Sequence, residues 1–343
     1  MNKKLALVAC AVLFVAAVFG LVACDKTPSD DVPKYTETDL FWQTPSVAEV
    51  VYEIDSNGLS GMELEMISSL QGIVAKTSAA IYVAYSGESK VWKQMLTDDY
   101  GAKIVKVSDP WQLVEMFLPY IADNGYVLYR STNEKGVSQL DQSVNYATTV
   151  AGADKYLIVS ESLESKAQQL GLTKKKDVRE SNTEEIFTEY KNKLTTSVLV
   201  HQNPKKWTLR DYAVAAGAMC FYGDYYDGSN VTADIFAWAD DCAPVLGWTE
   251  NELGFVSNAS IHNKITVAAD WSSNLSLYSG LKAGPLTNVQ RPKLTKQNKH
   301  YVAIVMSDGD NVQWMNNGFA TEQRFFGSDK RGNFPVTWTV APG

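Results

Sequence analysis

Residues 47–85, VAEVVYEIDSNGLSGMELEMISSLQGIVAKTSAAIYVAY, pass from one β-branched run through an amphipathic stretch into a second. Val47–Ile54 reads as a strand, because Val, Ile and Tyr suit a pleated, half-buried surface. Leu59–Lys76 sets Met62, Leu64, Met66, Ile67, Leu70 and Ile73 near helical spacing, with Ser60 as its N-cap. Ala79–Tyr85 reads as the next strand. A strand, a helix and a strand of these lengths make a βαβ unit, which calls for parallel strands. The glycines of Asp55-Ser-Asn-Gly58-Leu-Ser-Gly61 lack the spacing of a dinucleotide fingerprint or a phosphate loop. The segment is therefore read as a plain turn, and the domain around it as accessory.

The alternation continues outward. A helix is expected at Val91–Asp98, a strand at Lys103–Val107 and a helix opened by Ser108-Asp109-Pro110. Gly125–Arg130 and Lys155–Ser160 read as further strands. Residues 173–228 change character and read as a helical connector. Lys174–Lys176 is taken as a solvated surface, Thr183–Leu194 carries acids early and lysines late, and Tyr212–Phe221 is an Ala-rich helix. His201, beside Asn203-Pro204, reads as an exposed cap. After Gly223, apolar runs end in acids with tryptophans nearby: Ile235–Trp238 before Asp240, Ile265–Ala269 before Asp270, Val302–Met306 before Ser307-Asp308. That texture matches the rim of a (β/α) barrel, with a twisted sheet as the alternative. The fold class expected is α/β. An N-terminal parallel-sheet domain at 45–172 leads through the connector at 173–228 to the beginning of a (β/α)-barrel-like domain at 229–343, truncated at the C-terminus.

Composition narrows the function. The 343 residues carry a net charge of −8, with no Lys/Arg block to neutralise phosphates, which excludes a dedicated nucleic-acid binder. Three His and four Cys exclude a zinc-cluster protein and a disulfide framework. Residues 1–23 begin with Lys3-Lys4, continue apolar to Ala23 and contain no acid, which is the export pattern. Leu21-Val-Ala-Cys24 resembles a bacterial lipoprotein signal, so Cys24 is the expected lipidation site and 24–44 a tether from the membrane. The expected location is the bacterial cell envelope or surface. Cys220 and Cys242 read either as one disulfide or as two buried thiols.

The stretch richest in chemistry is Tyr301-Val-Ala-Ile-Val-Met-Ser307-Asp308-Gly309-Asp310-Asn311-Val-Gln313-Trp314. It delivers two carboxylates, an amide and an indole at the end of an apolar run. Asp residues two apart on a strand point to one side, with Cα atoms about 6–7 Å apart. Glycoside hydrolysis needs two carboxyl groups, roughly 5–5.5 Å apart for retention and 6.5–9.5 Å for inversion. Asp308 and Asp310 are thus candidate catalytic acids, beside a Trp able to stack on a sugar ring. Two other readings stay open: a Ca²⁺ site at Asp308 and Asp310, and a tight turn.

From roughly Ile235 to Gly343 the chain resembles the GxGYxYP family of glycoside-hydrolase-type proteins. The resemblance rests on Ser307-Asp-Gly-Asp-Asn311 with Gln313-Trp314, on Trp238-Ala-Asp240, on Leu246-Gly-Trp-Thr-Glu250, on Asp270-Trp271-Ser-Ser-Asn274-Leu-Ser276, and on Phe334-Pro-Val-Thr-Trp338. It implies small N-terminal domains before a C-terminal catalytic-type domain, in an exported bacterial protein tied to sugar processing. On that basis Asp308 and Asp310 are the catalytic pair, and no resident cofactor is needed. Asn311, Trp314, Asp270, Trp271, Asn274, Glu250 and Trp338 are substrate-binding candidates, with a glycan as the partner. The motif that names the family does not occur in these 343 residues, so more chain is expected after Gly343. The rival reading is a non-catalytic lipoprotein that binds glycans or a partner.

Overall fold

The computed structural model describes residues 46–132, 134–135, 139–223, 231–281, 295, 297–307, 309 and 311–340. The expected leader and tether, Cys24, Asp308 and Asp310 lie outside the described residues.

Three parallel sheets follow one another along the chain. In the first, β1 (Val47–Asp55) lies between β2 (Ala79–Ala84) and β3 (Lys103–Val107). Helices α1 (Gly61–Ala75) and α2 (Lys90–Asp98) make the crossovers, and α3 (Pro110–Met116) follows β3. In the second sheet, β4 (Gly125–Tyr129) is central. A short antiparallel pair, β5 (Glu134–Lys135) and β6 (Gln139–Leu140), leads to α4 (Ser143–Asp154) and β7 (Leu157–Ser160). Helix α5 (Glu164–Gln169) then returns the chain to β8 (Thr173–Asp177) on the other side of β4, and α6 (Thr183–Tyr190) follows. The third sheet has the order β10–β9–β11–β12, from β9 (Leu199–His201), β10 (Met219–Phe221), β11 (Pro244–Gly247) and β12 (Ile265–Val267). Its crossovers are α7 (Arg210–Ala216), α8 (Val231–Trp238) and α9 (Glu252–Ile261). Beyond it come α10 (Leu275–Tyr278), β13 (Val305–Met306), α11 (Val312–Asn316) and β14 (Thr337–Trp338), with β13 and β14 pairing in parallel. Every sheet of three or more strands thus opens on a central strand, sends the next strand to one side and the third to the other.

The parallel α/β architecture expected for the N-terminal half is present, with β3 at the residues read from sequence. Ser60 caps α1 in a reciprocal box with Glu63, and Asp109 caps α3 ahead of Pro110. The helical connector is not. Residues 173–177 complete the second sheet, while 199–201 and 219–221 are strands of the third. The Ala-rich run breaks at Gly217, whose φ of 68° ends α7, and Met219–Phe221 then extends. A short, fully buried apolar run has no period that separates strand from helix, and the same ambiguity makes Ile235–Trp238 the end of a helix. The expected boundary at 228/229 falls inside one sheet, because Val245 and Leu246 of β11 pair with Leu199 and Val200 of β9. The barrel reading is therefore corrected for β11 and β12, which finish an open sheet; among the described residues β13 and β14 form a separate parallel pair. Cys220 is buried and Cys242 exposed, and both are free thiols.

Helix α1 is the hub. Every residue from Leu64 to Ala75 is buried, as expected of a helix covered on all sides. Its apolar residues, among them Leu64, Ile67, Leu70 and Val74, share a core with the first two sheets. Its polar residues find partners: Ser69 Oγ accepts from Ile158 N–H at 3.2 Å, and Gln71 Nε2 donates to Ile81 O at 3.0 Å. Gly72 lets α7 cross closely, since a Cβ there would lie 2.4 Å from Asp211 O. Substituting Gly72→Ala is expected to lower unfolding stability by about 2–3 kcal/mol, read by urea titration.

His201 is not an exposed cap. It ends β9 fully buried, its ring stacked on Phe255 at 4.8 Å, and its Nε2 accepts from Gly223 N–H at 3.1 Å. Burial disfavours the imidazolium and pushes its pKa down to about 4. Between pH ~6.5 and ~4 the unfolded chain therefore binds a proton that the folded chain does not, and stability falls as pH falls. His201→Gln should remove about 3 kcal/mol of that loss, at about 1.4 kcal/mol per pKa unit, in unfolding titrations across this window.

Candidate functional site

A cleft of about 490 Å³ opens between the turn after β12 and the start of the last segment, with Trp271, Ser307, Asn311, Gln313 and Trp314 in its wall. Two elements build it. Helix α11 is capped by Asn311, whose side-chain oxygen accepts from Trp314 N–H at 3.0 Å. The turn after β12 is fastened to that helix, because Trp271 N–H donates to Gln313 Oε1 at 2.7 Å and Asn317 Nδ2 donates to Trp271 O at 3.3 Å. Ser307 and Asn311 both line the cleft, and in sequence Asp308 and Asp310 lie between them. Gly309 is required sterically: its N–H donates to Thr339 Oγ1 at 3.0 Å, and a Cβ would come within 1.7 Å of Thr339 O.

The Trp271 ring is half-exposed, and the Lys206 ammonium sits 4.2 Å over it. That ammonium also pairs with the carboxylate of Asp270, which is buried. Trp314 packs edge-on against Phe319 and Phe325, with ring centres 4.6 and 4.7 Å apart. Trp338 joins the same aromatic cluster through Phe319 and Phe326. Glu322 and Arg324 form an ion pair on the cleft wall.

Of the residues singled out from sequence, Trp271, Asn311 and Trp314 come together at the cleft, Asp270 lies just behind Trp271, and Trp338 packs in the aromatic cluster. Glu250 is exposed just before Asn251, the cap of α9, and is not among the residues lining the cleft. Asn274 is fully engaged elsewhere. Its Nδ2 donates to Val83 O at 2.9 Å and to the Glu88 carboxylate at 3.1 Å, while its Oδ1 accepts from Val83 N–H at 2.9 Å and Gln71 Nε2 at 2.7 Å. At 1% exposure it joins the third domain to the first. Lys206, Glu322 and Arg324 escaped the sequence reading because no spacing or motif marks them.

Raised carboxyl pKa values also cluster at the domain junctions. Burial pushes up Glu88, ringed by the hydroxyls of Tyr82 and Tyr278 and the amides of Asn274 and Asn316. It likewise raises Glu65, which accepts from Tyr129, and Asp211, which accepts from Ser276. Among the described residues, no group of three or more His, Cys, Asp or Glu is placed to hold a metal ion.

Residues 50–118, 124–194 and 195–280 match, in order, the first, second and third N-terminal domains of the GxGYxYP family. Residues 298–343 match its domain described as "GxGYxYP putative glycoside hydrolase C-terminal domain". Each of the first three ranges holds one parallel sheet. A crystal structure from Bacteroides thetaiotaomicron, described as a putative hydrolase, is 28% identical with a TM-score of 0.75 over 87% of this chain. This chain spans 58% of that one's length. No curated protein matches it.

Asn274→Ala strands Gln71 Nε2 and the Val83 backbone, so it should lower unfolding stability by about 3 kcal/mol or more. Trp271→Ala, at a half-exposed ring, should leave the unfolding free energy within about 1 kcal/mol of wild type in the same titration.

Proposed function

This chain belongs to the GxGYxYP family, and from that premise we propose that it is a carbohydrate-active hydrolase of the bacterial cell envelope, cleaving glycosidic bonds with a pair of carboxylates. The observation that carries the reading is the cleft. Trp271, Trp314 and Asn311 converge there, and Ser307 and Asn311, which both line it, flank Asp308 and Asp310 in sequence. That segment lies within the residues matching the family's C-terminal domain.

In the proposed mechanism one of Asp308 and Asp310 protonates the leaving oxygen of the scissile bond. The other carboxylate either attacks the anomeric carbon or draws a proton from the attacking water. Two carboxylates two positions apart in sequence suit this division, since an ionised carboxylate disfavours ionisation of a near neighbour. The exposed part of the Trp271 ring offers an apolar face to a sugar. Asn311 spends its side-chain oxygen on its helix cap, and its Nδ2 is the group proposed to meet a sugar hydroxyl. Lys206 is matched by Asp270, and Arg324 by Glu322, so these cations are already balanced. A neutral glycan suits such a wall better than a sulfated or phosphorylated one. The leader pattern and Cys24 support anchoring to the membrane through a lipid, which would hold the cleft at the cell surface.

The test is an assay of the full-length protein on a panel of neutral oligosaccharides. Asp308→Asn and Asp310→Asn should each lower turnover about a hundredfold or more, the usual scale for loss of a positioned acid or base. Trp271→Ala should mainly raise KM. Turnover untouched by both Asp changes removes the site assignment, and binding without product release by wild type favours a glycan-binding lipoprotein.

A further inference from the structure

We propose that the first domain is a working part of the cleft, with Trp92 and Ser89 as positioning residues that hold α11 and, through it, Gln313 and Trp314. Helix α11 has five residues, far fewer than an isolated helix needs to persist in water. The last carbonyls of any helix have no partner within it. Here two of them are taken by the first domain. Trp92 Nε1–H donates to Met315 O at 3.1 Å, across 223 positions of sequence, and Ser89 N–H donates to Asn316 O at 3.2 Å. The start of the helix is capped locally by Asn311, so the far end is the one that depends on another domain.

The side chain of Asn316 enters the same junction. Its Oδ1 accepts from Ser273 N–H at 2.9 Å, and its Nδ2 reaches a carboxylate oxygen of Glu88 at 3.5 Å. The Trp92 ring lies 5.6 Å from that of Tyr278, which itself donates to Glu88 at 2.8 Å. The segment from Glu88 to Trp92, which runs into the first turn of α2, therefore clasps the end of α11 from one side while the turn at Ser273 clasps it from the other. Gln313 stands two residues before Met315 and fixes the backbone of Trp271. A change at Trp92, which does not line the cleft, thus reaches both indoles that do. The inference concerns how the wall is held and stands whatever the cleft binds, so it can fail while the hydrolase reading survives, and the reverse.

Hydrogen–deuterium exchange on the full chain reads it without a substrate. Trp92→Phe keeps a ring against Tyr278 and removes the donor. Exchange in residues 311–318 should then rise about threefold to tenfold, the scale of one net hydrogen bond, while residues 47–55 and 199–221 stay as in wild type. Ser89→Pro gives a second arm, because Ser89 has a φ of −69° that proline accepts, and the change removes its N–H along with a hydroxyl that has no hydrogen-bond partner among the described residues. Trp207→Phe is the control, since the Trp207 indole nitrogen is buried with no hydrogen-bond acceptor among the described residues, and it should leave 311–318 unchanged. Unchanged exchange at 311–318 in both Trp92→Phe and Ser89→Pro overturns the proposal. So does an equal rise in every segment, which would mark a general loosening instead of a local clasp.

Discussion

Helix α1 meets α7 where Gly72 faces the backbone of Asp211, and no side chain fits between them. That close crossing decides how near the third sheet can come to the first. It brings Ala213, Val214 and Ala215 of α7 into buried positions and places Asp211 where the start of α10 donates to it, through Ser276 N–H at 2.9 Å. With α10 fixed, Asn274 reaches β2 and Tyr278 reaches Glu88. The cleft sits at the end of this chain of contacts. A helix pair held apart by one extra methyl group would shift each later contact, because packed interiors yield little.

The junctions between the domains carry buried polar groups among their apolar contacts. Arg210 is fully buried, donating through Nε to Lys206 O and through Nη1 to Asn145 Oδ1 and Thr148 Oγ1, with the carboxyl group of Glu65 nearby. Tyr129 of the second sheet donates to that same Glu65. Such a network gains little net free energy over an apolar core, since desolvation offsets most of the attraction. What it supplies is a single arrangement. A wrong docking angle would strand a guanidinium and several amides in a dry interior, and the penalty for that far exceeds the loss of a few methylene contacts.

How much of this was legible in the sequence follows from what each pattern encodes. Long strands with flanking turn signals, such as Val47–Asp55, and capped helices such as Gly61–Ala75 carry a local period and a local start signal, and both are visible before folding. Strands of three residues, such as Met219–Phe221, carry no period, so the first two strands of the third sheet read as part of a helical connector. The cleft was half visible. Trp271, Asn311 and Trp314 sit in recognisable runs beside acids, whereas Lys206 enters only because the fold brings a distant loop over Trp271. Asn274 shows the converse: its neighbours in sequence resemble a sugar site, but its carboxamide is claimed by a domain nearly two hundred residues earlier. Glu88 and Trp92 gave no signal at all, because a junction residue is defined by its partner and not by its own surroundings.

The engagement of Asn274 has one more consequence. Strand β2 lies at the edge of its sheet, and Val83 turns both its N–H and its carbonyl away from β1. The Asn274 carboxamide answers both, donating where a neighbouring strand would donate and accepting where it would accept. One side chain thereby stands in for a fourth strand at that point. An apolar edge reading Ala-Ala-Ile-Tyr-Val-Ala is the kind of template on which a second chain can add itself. The residue that joins two domains thus also satisfies, at Val83, the backbone groups through which such an edge would pair with a second chain.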